Sequence, residues 1–242
     1  MPSKKNNTMN FNQKLLSGRL YRRYQRFLAD IDLDTGERIT AHCPNTGSMR
    51  GLVESGLKVY VSRSANPQRK LAYTLELVDI GTSLVGVHTG RANGIVKESI
   101  IQGKITELLG YEKIRQEVPY GQNSRIDLLL ENHPPQERCY VEIKSVTLKE
   151  SKAALFPDAV TIRGAKHLDD LVNTIRSHHC RAMMLYLVQR EDCEYFSPAD
   201  DIDPIYGKKL RLATTQGLEA IAYSCQLSVT GIHLQHPLPV HL

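Results

Sequence analysis

Asp127, Glu142 and Lys144 are the residues whose types and spacing could do chemistry. They sit in Ser124–Val146, which reads S-R-I-D-L-L-L-E, then a turn with Asn132, Pro134 and Pro135, then C-Y-V-E-I-K-S-V. Two apolar runs rich in Ile, Leu and Val around such a turn predict a β-hairpin. Side chains alternate between faces along a strand. Arg125, Asp127 and Leu129 therefore share one face of the first strand, and Tyr140, Glu142 and Lys144 share one face of the second. Pairing across the turn brings two carboxylates and an ammonium together on an otherwise apolar pair of strands. Burying those charges is costly without compensation. A divalent cation on the carboxylates compensates, and Mg²⁺ favours one or two such ligands together with water and phosphate oxygens.

The pattern resembles the PD-(D/E)XK nuclease superfamily. Asp127 takes the place of the first acid, with Ile126 where a Pro is usual, and Glu142-Ile143-Lys144 matches the second half. A D/E-x-K triplet alone is weak, since about one or two arise by chance at average composition in a chain this long. Glu150-Ser151-Lys152 is a second one, but its surroundings are polar and lack alternation, as in a solvated turn. Pro157-Asp158 matches the first half, yet no D/E-x-K follows it. The competing reading of the trio is a structural ion pair on a sheet edge.

The elements that must position the trio follow from hydrophobic periodicity. Ile95, Ile100, Ile101, Ile105, Leu108 and Leu109 recur at helical spacing, with Gly103 as an interruption. Residues 114–120 read as a strand ahead of the hairpin, and a loop is expected from Lys144 to about Thr161. Leu168, Leu171, Val172 and Ile175 define a helix approached by Arg163, Lys166 and His167. The continuous apolar run 181–188 is a buried central strand. A helix near 205–216, strands at 220–227 and 232–234, and a tail marked by Pro237 and Pro239 complete the chain. The order helix, strand, strand, strand, helix, strand is that of a three-layer α/β core.

From Leu16 to about His88, short alternating runs are separated by Asp34-Thr35-Gly36, Asn45-Thr46-Gly47 and Asn66-Pro67. About five strands in a segment this short fit an OB-like β-barrel, and a small β-sandwich would give similar spacing. Arg19, Arg22, Arg23, Arg26, Arg50, Arg69 and Lys70 lie among Tyr21, Tyr24, Phe27, Tyr60 and Tyr73. Guanidinium groups for phosphates and rings for bases suit single-stranded nucleic acid. A solvated basic face over aromatic core residues would leave the same trace. That arginine density disfavours a neutral sugar ligand. Gly51-x4-Gly56 is followed by Leu57-Lys58, which excludes a phosphate loop of the P-loop type. His42 and Cys43 have no second pair at zinc spacing and read as structural.

The totals fit these readings. The chain has 242 residues, a net charge of +5 and five cysteines with no CxxC pair. Free thiols point to a reducing compartment. With no long apolar run and no signal-peptide pattern in residues 1–14, the expectation is a cytoplasmic protein with a disordered N-terminus.

Longer stretches carry a more specific resemblance. A-H-C-P-N-T-G-S-M at 41–49, N-P-Q-R-K-L at 66–71, S-R-I-D at 124–127, V-E-I-K-S-V-T-L at 141–148, F-P-D-A-V-T-I-R-G-A-K-H-L at 156–168 and D-I-D-P at 201–204 are similar to the bacterial sugar fermentation stimulation protein A family. The resemblance spans Phe11 to Leu227. It implies an OB-like domain (15–88) followed by a restriction-endonuclease-like three-layer α/β domain (89–242), α+β overall, that binds DNA with little sequence preference. It places Asp127, Glu142 and Lys144 at the catalytic positions, with Asp127 and Glu142 holding Mg²⁺ or Mn²⁺. Several superfamily members add a Glu from the first helix, and Glu98 is the best match. Arg163, Lys166 and His167 are expected at the DNA backbone, and RNA remains an alternative partner. The rival reading is a regulator of sugar (maltose) metabolism that binds DNA through the same fold without cutting it.

Overall fold

The computed structural model describes residues 9–121, 124–134 and 137–242. Pro135, part of the expected hairpin turn, lies outside them. The first strands are β1 (Leu16–Tyr24), β2 (Leu28–Leu33), β3 (Arg38–His42), β4 (Lys58–Arg63), β5 (Tyr73–Asp79) and β6 (Leu84–Gly86). β1 pairs antiparallel with β2 and β4, β5 continues from β4, and β3 closes onto β5 in parallel through Ala41↔Tyr73 and His42↔Thr74. The result is a closed OB-like barrel rather than a sandwich. Alternation fills it, with Ile31, Ile39, Val59, Val61 and Leu75 among its buried side chains.

The second half contains α1 (Ala92–Ile101), β7 (Lys113–Tyr120), β8 (Ser124–Glu131), β9 (Arg138–Val146), β10 (Leu148–Glu150), β11 (Ala153–Phe156), α2 (Ile162–His178), β12 (Arg181–Val188), β13 (Tyr195–Pro198), α3 (Pro204–Thr215), β14 (Glu219–Ser228) and β15 (Gly231–Leu238). A six-stranded sheet runs β15-β14-β12-β9-β8-β7. On β12, Met183, Leu185 and Leu187 pack toward α1, while Ala182, Met184, Tyr186 and Val188 pack toward α2 and α3. Apolar side chains on both faces are what a central strand between two layers needs, and they make this half a three-layer α/β domain.

Several expectations are corrected. The helical pattern at 95–109 is divided: α1 stops at Ile101, and Gly103 takes φ +70, a left-handed turn that suits glycine. The expected loop from Lys144 to Thr161 contains β10 and β11, which form a second sheet with the unforeseen β13. Pro237 lies inside β15 and not in a tail. A proline lacks the N–H a central strand needs, and β15 is an edge. Residues 9–14 were expected to be disordered, but Met9 is buried, its carbonyl accepts from the amide of Ile232 (2.7 Å), and the Phe11 amide donates to Thr230 (2.9 Å).

A buried ion-pair cluster ties the two halves together. Glu76 of β5, only 1% exposed, takes a two-pronged contact from Arg91 (2.6 and 2.9 Å) and a third from His88 (3.0 Å). Burial alone would raise the Glu76 carboxyl, but these partners outweigh it and bring it down to about 2. Leu77 of the barrel also packs in the apolar cluster around α1.

Candidate active site between barrel and sheet

Cys139, Val141 and Ile143 of β9 face α1, so alternation turns Tyr140, Glu142 and Lys144 toward α2. Glu142 is 3% exposed. Its Oε1 accepts from Lys144 Nζ (2.7 Å) and is bonded by His167 Nδ1 of α2. Its Oε2 is buried without a hydrogen-bond partner. Burial pushes Glu142 up, but His167 and Lys144 prevail and hold its carboxyl below the usual range. Arg163 Nε donates to His167 Nε2 (3.3 Å). A guanidinium has no acceptor, so Nε2 is the unprotonated nitrogen and Nδ1–H donates to Glu142.

Asp127 reaches the same place differently. The β8–β9 pairing runs from Glu131↔Arg138 to Leu128↔Val141, and beyond it the Asp127 side chain takes the next amide: Oδ2 accepts from Ile143 N (2.7 Å). Oδ1 accepts from Asn93 Nδ2 of α1 (2.8 Å). Ile126 and Leu129 pack on the α2 side while Leu128 and Leu130 pack on the α1 side, so strict alternation fails beside Asp127. Burial and the Glu142 charge raise the Asp127 carboxyl to about 6, against the pull of Ile143, Asn93 and Lys144. The two acids thus differ, one satisfied by Lys144 and His167 and the other repelled.

The fold brings Asp127, Glu142 and Lys144 together and leaves Glu98 out. Glu98 is more than a turn along α1 from Asn93, where Oε2 accepts from the Met9 amide (3.3 Å) and Oε1 from Gln102 (3.3 Å). Helix phase decides this: Asn93 is the α1 residue at Asp127. An amide near a helix start was the available sequence signal. Among the described residues, no three or more His, Cys, Asp or Glu side chains form a metal-holding group.

Lys144 opens onto a cleft of ≈ 660 Å³ between the halves, shared with Asn93, Arg26, the Asn45–Ser48 loop and Asp158. Two stretches far apart in the chain meet there, 41–49 and 156–168. The Met49 amide donates to Asp158 Oδ2 (3.1 Å), and a Cβ on Gly47 would lie 2.1 Å from that oxygen, so a larger residue there would push the Asp158 carboxylate aside. Behind His167 is a second cavity of ≈ 880 Å³, lined by Ser124, Arg125, Arg163, Lys166 and Asp170.

The expected phosphate contacts divide. Arg23 is half-buried and spent on the loop: its guanidinium donates to the carbonyls of Asn45 (2.8 Å), Gly47 (3.0 Å) and Arg26 (2.9 Å). His167 is buried and engaged with Glu142, not offered to a ligand. Arg22 is exposed but paired with Asp30 (2.8 Å), and Arg19 donates to the Gly56 carbonyl (2.9 Å). Lys166 bonds Ser124 and Asp170 (both 2.8 Å). Arg26, Arg50, Arg69, Lys70 and Arg163 are exposed.

The molecule is an OB-like barrel fused to a three-layer α/β domain with a carboxylate–lysine site at the junction. Family models match both parts: the SfsA N-terminal OB domain over residues 21–87, and the sugar fermentation stimulation protein RE domain over residues 90–231. A sugar fermentation stimulation protein homolog of Nitrosococcus oceani is 67% identical over 97% of this chain and 100% of its own length. Its counterpart from Paramagnetospirillum magneticum is 50% identical over 97% and 98%. The solved structure of Pyrococcus furiosus SfsA in complex with Ca²⁺ superposes with a TM-score of 0.87 at 25% identity, covering 98% of this chain and 99% of that one. The chain belongs to the sugar fermentation stimulation protein A family.

Proposed function

We propose that the protein is a DNA-binding, divalent-metal-dependent phosphodiester hydrolase of the cytoplasm, with a nucleic-acid-binding barrel at 15–88 and the hydrolytic site in 89–242. The observation that carries this reading is the unmatched acidity at the site. Glu142 Oε2 is buried without a partner, and Asp127 is pushed up to about 6 beside it. An orphan carboxylate oxygen next to a repelled carboxylate is a donor set suited to a hard cation. The homologous Pyrococcus furiosus protein was solved with Ca²⁺.

Asp127 and Glu142 would hold Mg²⁺ or Mn²⁺, which when bound polarises a phosphate oxygen and acidifies a water. The remaining work falls to this chain. His167 fixes the Glu142 carboxylate, and Asn93 and the Ile143 amide fix that of Asp127. Lys144 is 14% exposed at the cleft, where its ammonium offsets charge developing on a phosphate. Arg26 and Arg163 supply positive charge for the flanking backbone, the latter from the start of α2.

One observation favours the non-cutting regulator instead: Lys144 and His167 already occupy one oxygen of Glu142. The deciding experiment incubates the purified protein with DNA and Mg²⁺, Mn²⁺ or chelator. Cleavage that requires the metal supports the hydrolase. DNA binding without cleavage under every metal condition supports the regulator.

A further inference from the structure

At the cleft mouth, β11 hands over to α2 through Ala159–Thr161. Val160 is 70% exposed and Ile162 is 85% exposed. Thr161 between them is the N-cap, its hydroxyl accepting from the Gly164 amide (3.0 Å), so the two apolar side chains are held in place on a capped helix start. Val160 lines the cleft together with the charged side chains Lys144, Arg26 and Asp158, and Ile162 stands two residues further on, at the start of α2. Folding gives no reason for two β-branched side chains to face water here, since the nearby core is served by Ala165 and Leu168.

We infer that Val160 and Ile162 are base-contacting residues, and that the cleft takes single-stranded DNA. This rests on the hydrolase reading for the purpose of the contact, though not for its test. Cations beside an apolar ledge match a strand whose phosphates and bases are both accessible. A paired duplex offers phosphates and groove edges but buries its base faces, so the ledge would have nothing to cover. The cleft is walled on one side by the barrel loop, where Asp158 meets Gly47, and on the other by α1. The Glu76 ion pairs hold those walls together. A cleft of ≈ 660 Å³ is of small-ligand size, enough for a nucleotide or two of an unpaired strand.

The test is binding, measured by fluorescence anisotropy in chelator so that no cleavage intervenes. It uses a labelled oligonucleotide as single strand and as perfect duplex, with the parent and V160S/I162S. Both positions are exposed, so the variant should fold, and its circular dichroism and Tm serve as the check. The parent should bind the single strand about tenfold more tightly than the duplex, and the variant should lose about that tenfold on the single strand alone. The salt slope should stay unchanged, because an apolar contact releases no counterions. Equal affinity of the parent for both forms, an unchanged single-strand affinity in the variant, or an equal loss on both forms would overturn the inference. Absence of metal-dependent cleavage by the parent would sink the hydrolase and leave this binding result standing.

Discussion

Removing one negative charge from Asp127 should stabilise the metal-free protein. Asp127 ordinarily titrates near 3.8 and is raised in the fold to about 6 by burial and by Glu142. The folded state therefore holds a proton that the unfolded chain has released. Stability from this group is fully present below about pH 3.8 and is lost as pH rises through about 6. At about 1.4 kcal/mol per pH unit, that rise corresponds to about 3 kcal/mol of unfavourable charge at pH 7. Asp127→Asn keeps a carbonyl oxygen for the Ile143 amide and removes the repulsion. For a chain of this size about 3 kcal/mol is about 6–12 °C in Tm. The assay is urea unfolding followed by circular dichroism, in chelator, from pH 4 to 8. The Asn variant should be more stable at pH 7, and the two curves should meet near pH 4. A variant less stable at pH 7, or a gap that does not change with pH, would refute the repulsion argument.

Other outcomes follow from the same geometry. Glu142→Gln should act in the opposite sense, destabilising by about 3 kcal/mol in the same unfolding assay, because the Lys144 ammonium loses its buried counter-charge. Metal binding must displace the Asp127 proton, so Mn²⁺ affinity by calorimetry should fall about tenfold per pH unit below about 6 and release protons; flat affinity from pH 5 to 7 would be the contrary result. Glu76, lowered from 4.5 to about 2, contributes stability that is present above about pH 4.5 and lost as pH falls through about 2, worth about 3 kcal/mol; acid unfolding of Glu76→Gln should lack that portion. Replacing Arg26 and Lys70 by Ala should flatten the salt dependence of DNA affinity by about one to two in slope, whereas Arg23→Ala should weaken binding with little change in slope, since Arg23 is spent on carbonyls.

The barrel and the central strand were legible because their signals are local. Period-two runs between turn residues mark β1 to β6, and the apolar run 181–188 can only be a buried strand. The trio was legible for the same reason: Glu142 and Lys144 are two apart on one strand. What failed needed tertiary information. Whether Asn93 or Glu98 faces Asp127 depends on the phase of α1 against the sheet, which a helix with an unremarkable apolar stripe does not reveal. Arg23 and His167 carry charge-bearing side chains that look available in sequence, and their engagement with carbonyls and with Glu142 comes from segments some twenty or more residues away. β13 is a short strand that exists only because β11 is there to pair with it. The meeting of 41–49 with 156–168 is a contact across the domain junction, which no local pattern in either stretch carries.

The central claim is that Asp127, Glu142 and Lys144 form a metal-dependent hydrolytic site. The most direct test is cleavage of end-labelled single-stranded DNA by the parent and by Asp127→Asn, at equal concentration in Mn²⁺, with folding of both verified by Tm. The account predicts metal-dependent products from the parent and none from a variant that is at least as stable. Cleavage by Asp127→Asn at the parent's rate would contradict it, as would a parent that binds Mn²⁺ and DNA and leaves the strand intact.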